Sequence, residues 1–322
     1  MSQFKLNRRQ VLAAGAAAAF FAPSVAQAQQ FPTKPIRLLV ASSAGSGIDT
    51  AARTIGERLA GRLGQPVLVE NITGASGMVA MKDMLSQPAD GHTIMLMSPG
   101  LTIHSARGTN GFDIRRDVAP IVQQSAQPLV MFTRKGGGLD TFADFLAKAK
   151  AEPGSLNYGS LGVGSVHHLM FEQFKLVTGT DIVHIPYKGA NEAAAAVLSG
   201  EIDVSLAGLI TIQAQIAEGK LVPIAVSTGA DFHDIPGMKK LGIDNYDFAV
   251  WTGYGTHGGT PKEVVAKLNA EINEVFKEAP VVEVFKKLYD LVGGTPEAFA
   301  AVLAAEVEAY ATVIKESKIT FE

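Results

Sequence analysis

Two short segments hold the residues best suited to gripping a small anion. They are Ala41-Ser42-Ser43-Ala44-Gly45-Ser46-Gly47-Ile48-Asp49 and Gly159-Ser160-Leu161-Gly162-Val163-Gly164-Ser165. Each follows an apolar run of strand type and opens a helical pattern. Glycine lets a backbone approach a ligand closely, and a helix starting there points unpaired N–H groups and partial positive charge at it. Ser43, Ser46, Ser160 and Ser165 add hydroxyl donors. This chemistry suits a carboxylate or another small anion. Either segment alone reads equally well as a strand–helix turn capped by Gly and Ser. Their recurrence at matching places in two halves favours binding, with a ligand clamped between lobes. Asp49, at the exit of the first segment, is placed to cap the helix it opens.

Rival chemistries are less complete. Gly45-Ser46-Gly47, with Glu70 ending the next strand, is part of a dinucleotide fingerprint, but Thr50 holds the third glycine position. Tyr158-Gly159-Ser160-Leu161-Gly162 approaches a nucleophile elbow with Tyr158 where the first Gly belongs, and nothing selects His184, His233 or His257 as its base. His167 and His168 are adjacent, so on a helix they point about 100° apart. His168 and Glu172 have ligand spacing, yet two ligands do not make a metal site, and capping or surface histidines are the plainer reading. The chain has no Cys, which excludes thiolate metal sites, disulfides and a Cys nucleophile. Lys+Arg 28 against Asp+Glu 31 gives no basic excess for nucleic acid. The expectation is a binding protein without cofactor, metal or catalysis.

The elements that position these loops alternate along the chain. Ile36 to Val40, Val67 to Val69 and Thr93 to Met97 read as strands, with a helix from Asp49 to Leu63 presenting Ile55, Leu59 and Leu63 on one face. The order then restarts with strands at Pro128–Thr133, Leu156–Gly159, Ile182–Pro186, Val204–Ala207 and Leu221–Ser227. Helices at Thr141–Ala151, His167–Val177 and Glu192–Leu198 lie between them, the last stopping at Gly200. Trp251–Thr256 is a further strand, with Trp251 packing at a domain crossing. Thr260-Pro261 and Thr295-Pro296 each look like a helix start with Thr as N-cap and Pro first. Strand–helix repetition with short links predicts an α/β protein of mostly parallel sheets flanked by helices. Strand crossings near Gln127–Thr133 and Phe248–Thr256 divide it into 29–130 and 250–322 as one lobe and 131–249 as the other.

The first 28 residues read as an export leader. Lys5, Arg8 and Arg9 form a basic start, Val11 to Ala22 an apolar run too short to span a bilayer, and Ala26-Gln27-Ala28 a cleavage pattern. Arg8-Arg9 also fits a twin-arginine signal. Removal near Ala28 leaves 294 of the 322 residues and takes three positive charges, so the net charge moves from −3 to −6. The predicted location is the periplasm.

The loops and their surroundings give the chain a family likeness. Phe31-Pro32-Thr33-Lys34-Pro35-Ile36-Arg37, Leu63-Gly64-Gln65-Pro66-Val67, Val69-Glu70-Asn71, Ala89-Asp90-Gly91-His92-Thr93, Leu156-Asn157-Tyr158-Gly159-Ser160, His184-Ile185-Pro186-Tyr187-Lys188-Gly189 and Gly259-Thr260-Pro261 recur in order. With them the sequence resembles the extracytoplasmic solute receptors of tripartite tricarboxylate transporters, the Bug family. The resemblance implies a two-lobed type II periplasmic-binding-protein fold that closes on a small carboxylate, acting as a monomer with membrane transporter subunits or a sensor. By position it implies ligand contacts from Ser43, Ala44, Gly45, Ser46, Gly47 and Asp49, with Ser98 and Gly100. The other lobe contributes Ser160, Gly162, Gly164, Ser165 and His168, then Tyr187 and Lys188, which serve packing or lobe closure equally well. The family's first loop carries more Pro and Gly than this one, where Ser42, Ser43 and Ser46 stand. Ala207 occupies the place of a common Asp that could receive a ligand amine or hydroxyl. Its loss is expected to open space, to disfavour an amino acid and to favour a plain or bulkier acid. An exported hydrolase or transferase using the Ser160 and His168 region is the alternative.

Overall fold

The computed structural model describes residues 31–108, 111–286 and 290–321; the leader expected at 1–28 lies outside the described residues. Two sheets organise the chain. The first has the order β11-β4-β10-β3-β1-β2, from β1 (Ile36–Val40), β2 (Val67–Asn71), β3 (Thr93–Met97), β4 (Val118–Gln127), β10 (Val250–His257) and β11 (Leu291–Gly293). The second has the order β7-β6-β8-β5-β9, from β5 (Val130–Arg134), β6 (Asn157–Ser160), β7 (Val183–Pro186), β8 (Val204–Ala207) and β9 (Leu221–Val226). The chain leaves the first sheet at Gln127, enters the second at Val130 and returns at Val250.

Both sheets are mixed, with most strands of each running one way as the strand–helix repetition predicts. β1 pairs parallel with β2 and β3, and β6 with β7 and β8, because helices return the chain between them. The passing strands enter the other way: β10 is antiparallel to β3 and β4, and β5 to β8 and β9. β4 itself escapes a pattern reading, since Pro120, Gln123, Gln124 and Ser125 break its apolar run. Its polar residues are satisfied across the strand pair instead, where Gln124 Nε2 donates to Thr252 Oγ1 at 3.0 Å.

Helices α1 (Gly47–Leu63), α2 (Met78–Ser86), α3 (Gly100–Ala106), α4 (Ile114–Asp117), α5 (Phe142–Ala151), α6 (Val166–Thr178), α7 (Ala190–Ser199), α8 (Leu209–Ala217), α9 (Lys262–Val275), α10 (Ala279–Phe285) and α11 (Pro296–Glu316) cover the sheets. Gly200 ends α7 in the left-handed region at φ 79°, the conformation glycine tolerates. Thr295 caps α11 by accepting the Ala298 N–H, with Pro296 first in the helix. Thr260 does not play that part for α9. Pro261 takes the cap position there without a side-chain bond, and Thr260, one residue earlier, turns its hydroxyl to Thr256.

The long helix α11 joins the lobes. Phe299, Leu303 and Val307 pack into a cluster of the first lobe with Leu39, Met95 and Trp251, while Tyr310 and Val313 pack into that of the second with Phe171 and Tyr246. Between these stretches Glu306 accepts from Thr102 Oγ1 at 2.6 Å, Trp251 Nε1 at 2.7 Å and Tyr310 OH at 3.1 Å. Burial pushes this carboxyl up to about 7. Trp251 is 1% exposed and meets Phe299 edge-on, so it packs where the chain re-enters the first sheet. Among the described residues no helix is long and apolar enough to cross a membrane.

Candidate functional site

Both glycine loops sit at the C-terminal end of a parallel strand, where strands of an open α/β sheet leave room for a ligand. In the first, Ser46 is the N-cap of α1 and its hydroxyl accepts the Asp49 N–H. Asp49 is therefore not the N-cap; it closes the turn from the third helical position. Its carboxylate accepts Gly45 N–H at 2.8 Å, Asn71 Nδ2 at 2.8 Å and Arg53 Nε at 3.0 Å. These bonds, Arg53 foremost, hold its pKa down to about 2. Ser42 and Ser46 hydroxyls meet at 3.0 Å. Ser43, Ala44, Gly45 and Gly47 are exposed, and Gly45 needs its left-handed φ of 80° for the turn.

The second loop repeats this construction with different chemistry. Ser165 is the N-cap of α6, accepting His168 N–H, and His168 Nδ1 accepts the Gly164 N–H at 3.0 Å. The His168 ring is 6% exposed and stacks on His184 at 4.0 Å and 10°. Burial and the neighbouring His184 push His168 down to about 4, so both rings remain neutral at neutral pH. Ser160 is fully buried, its Oγ 2.5 Å from His184 Nε2 and bonded to Gly162. It pins the loop.

A cavity of about 560 Å³ lies between the two sheets. The first lobe lines it with Ala41, the turn Ala75-Ser76-Gly77, Ser98, Gly100, Ile103, His104 and Arg107. From the second come Leu161 and the run Val163–His167, with Val250 of β10 and Phe321 closing the side. No carboxylate lines it among the described residues. The N–H groups of Val163, Val166 and His167 make no protein hydrogen bond there, being in the loop or the first helical turn. Such a lining offers donors, one cation and an apolar wall, which fits an organic acid.

The sequence-derived residues divide accordingly. Ser98, Gly100, Gly164 and Ser165 line the cavity. Ser43, Ala44, Gly45 and Gly47 form the adjacent exposed loop over half-buried Ser46 and buried Asp49, none of them lining it, while Ser160, Gly162 and His168 build the second loop from behind. Gly100 has a structural reason as well, since a Cβ there would sit 2.6 Å from Ser76 O. Tyr187 OH donates to Glu201 at 2.8 Å and Lys188 is exposed, both away from the cavity. Ala207 is 1% exposed inside an apolar cluster with Val130 and Ile212, and it too lies off the cavity. Among the described residues no group of three or more His, Cys, Asp or Glu is placed to hold a metal.

Sequence reasoning missed Ile103, His104, Arg107 and Phe321. The signal existed for the first three: 100, 103, 104 and 107 share one helical face, and Ser98-Pro99-Gly100 marks its start. Phe321 could not have been found, because its place depends on α11 crossing between lobes.

The fold has counterparts among known proteins. The family model described as the tripartite tricarboxylate transporter family receptor matches residues 51–318. A UPF0065 protein from the tcbD–tcbE intergenic region of Pseudomonas sp. strain P51 is 30% identical, the match covering 98% of this chain and 96% of that one. Among solved structures, a TctC solute-binding protein from Polaromonas, without ligand, superposes with a TM-score of 0.81 at 28% identity, over 89% of this chain and 99% of that one. An R. palustris protein solved with adipate gives 0.71 at 28% identity, over 90% and 99%. With two lobes, a cavity between them and a family match over most of its length, the chain belongs to the receptor family of the tripartite tricarboxylate transporters.

Proposed function

We propose that this receptor works in the periplasm, after loss of its leader, by capturing a small organic acid between its lobes and presenting it to membrane subunits of a tripartite transporter. The observation behind this reading is the cavity itself: both lobes line it, it offers free N–H donors, and it contains no carboxylate to repel an acid. Residues 29–130 with 250–322 would form one lobe and 131–249 the other. Closure would bring the exposed N–H groups of Ser43, Ala44 and Gly47 onto the carboxylate from the first lobe, opposite those around Gly164 and Ser165. The adipate-bound relative supports an acid as the ligand class. Binding free energy for the closed state, rather than a chemical step, would drive the function. A hydrolytic use of Ser160 gains no support, because its hydroxyl has no accessible surface and is already bonded on two sides.

A thermal-shift screen of the ligand-stripped mature protein tests the proposal. The panel holds di- and tricarboxylates, aromatic acids, amino acids and NAD. A ligand at 100 times its Kd adds about 2.7 kcal/mol of stability, a visible rise in Tm. The expected result is a shift with one class of acid, the acid being recovered unchanged. A shift with amino acids or NAD alone, or conversion of the bound compound, overturns it.

A further inference from the structure

The hydroxyl of Thr102 is claimed by two acceptors. It lies 2.7 Å from Pro99 O, at the start of α3, and 2.6 Å from Glu306 Oε2 on α11. Thr102 is wholly buried, and a hydroxyl carries a single proton, so it can donate to only one of these oxygens. With Glu306 ionised, the other contact would set lone pair against lone pair. A proton on Glu306 Oε2 removes the conflict, since the acid then donates to Thr102 and Thr102 donates to Pro99 O. Trp251 Nε1 and Tyr310 OH keep their bonds to the carboxyl oxygens, at 2.7 Å and 3.1 Å.

Among the described residues no cation is placed to hold Glu306 ionised. The carboxyl faces a second cavity of about 570 Å³, which Ala249 and Trp251 line while Val250 between them lines the first. The other ionisable groups on this second cavity are Asp244, Tyr246 and Asp247. β4 has no ionisable side chain, β10 has Tyr254 and His257 further along the strand, and α6 turns Gln173 this way. In α4, Arg115 and Arg116 are paired with Asp113 and Asp117, and on α11 Glu308 is exposed. Burial accordingly pushes Glu306 up to about 7.

Thr102 also stands back to back with the ligand face of its helix. At about 100° per residue it lies opposite Gly100, Ile103, His104 and Arg107, which line the acid cavity. We propose that Glu306 is a positioning residue of the acid site, holding α3 from behind as a hydrogen-bond donor to Thr102 so that Ser98, Gly100 and Ile103 meet the ligand. This rests on the reading of the first cavity as the acid site. When Glu306 ionises, Thr102 must release Pro99 O or oppose the charge, and the tie is lost. Acid binding is therefore strongest below pH 7 and weakens above it, and a bound acid raises the pH at which Glu306 ionises.

Trp251 is the only tryptophan in the chain, so its indole N–H resonance reports Glu306 directly. The test follows that resonance and the backbone N–H resonances of Leu101 to Ile103 in the ligand-free mature protein from pH 6 to 8.5. Adipate, as the probe acid, is titrated by calorimetry at both limits. In wild type these resonances should move with one midpoint near 7, and the adipate Kd should rise about fivefold with pH. Glu306→Gln should abolish both effects. Thr102→Val should keep the indole titration while uncoupling α3 from it and flattening the Kd profile. A Kd profile that survives in Glu306→Gln belongs to His104, which shares the cavity, and overturns the proposal. An indole resonance that does not titrate does the same. A flat Kd in wild type, with α3 titrating, overturns the positioning role while leaving the acid receptor standing. No adipate binding at either pH overturns it together with the reading of the cavity.

Discussion

The two glycine loops are built on one plan and closed by opposite chemistry. Gly45-Ser46-Gly47-Ile48-Asp49 and Gly164-Ser165-Val166-His167-His168 place a left-handed glycine, then a serine N-cap, then an acceptor three residues on that reaches back to the glycine N–H. In the first loop the acceptor is an ionised carboxylate tied to Arg53 and Asn71; in the second it is a neutral imidazole stacked on another. A carboxylate near a helix start offsets the positive end of the helix, whereas a neutral ring leaves it uncompensated. The second loop is thus the more attractive side for an anion, and the first is the more firmly tied. That difference can be broken at either end.

The largest expected effect is at Asp49. Asp49→Ala leaves three donors without their acceptor, one of them charged, and should cost about 3 kcal/mol in urea unfolding. His168→Ala removes one neutral acceptor and a ring from a stack, and should cost about half as much. Equal losses would show that the carboxylate is not what holds the first loop.

Glycine substitution sharpens the contrast. Gly45 and Gly164 have φ of 80° and 73°, so an alanine in either is strained by about 1 kcal/mol or more. Around Gly45 the added methyl meets open space, but at Gly164 it collides with Phe321. Gly164→Ala should therefore destabilise by about 2 kcal/mol and weaken acid binding at least tenfold, while Gly45→Ala stays near the backbone cost. A Phe321→Ala change in the Gly164→Ala background should recover part of the stability. No recovery would mean that the ring is not the obstacle.

Protonation separates the loops by pH. His168 is held at about 4 against an ordinary 6.5, with His184, Glu172 and Lys175 around it. Its folded value lies below its unfolded one, so its contribution is whole above pH 6.5 and is lost as pH falls toward 4. Protonating Nδ1 also destroys the acceptor for Gly164 N–H. Asp49, moved from 3.8 to about 2, keeps its contribution until the pH falls below 3.8. Glu306 runs the other way: raised from 4.5 to about 7, its contribution is present at low pH and lost as pH rises through 7. Urea unfolding of wild type and His168→Gln at pH 7 and 4.5 should show their difference shrinking by about 1 to 2 kcal/mol on acidification. A constant difference would remove His168 as the titrating group.

How much of this could be read beforehand follows from the range of each interaction. β1, β3 and β8 match the sequence reading to the residue, since three or four apolar side chains buried on both faces leave a nearly continuous run. Both glycine loops were equally visible, because Gly and Ser caps act within four residues. Their internal resemblance was not, for Asp49 and His168 differ in type and only their bonds to Gly45 and Gly164 make them equivalent. β4 was lost among its glutamines, whose partners lie more than a hundred residues away on β10. The mixed order of the sheets has the same origin, being set by crossing strands that no local pattern marks.

The smallest effect belongs to the residues that the family likeness placed at the ligand and the structure places elsewhere. Tyr187 spends its hydroxyl on Glu201, burial and then this bond pushing it up to about 12, and Lys188 gives its backbone N–H to Glu192 while its side chain stays in solvent. Neither lines the cavity. Tyr187→Phe should cost within about 1 kcal/mol of stability, the worth of one half-exposed hydrogen bond. Together with Lys188→Ala it should leave acid affinity within twofold in calorimetry. If instead the pair weakens binding tenfold while unfolding is unchanged, closure must carry this edge of the second lobe onto the ligand. The comparison would then need a third gripping segment beside the two loops.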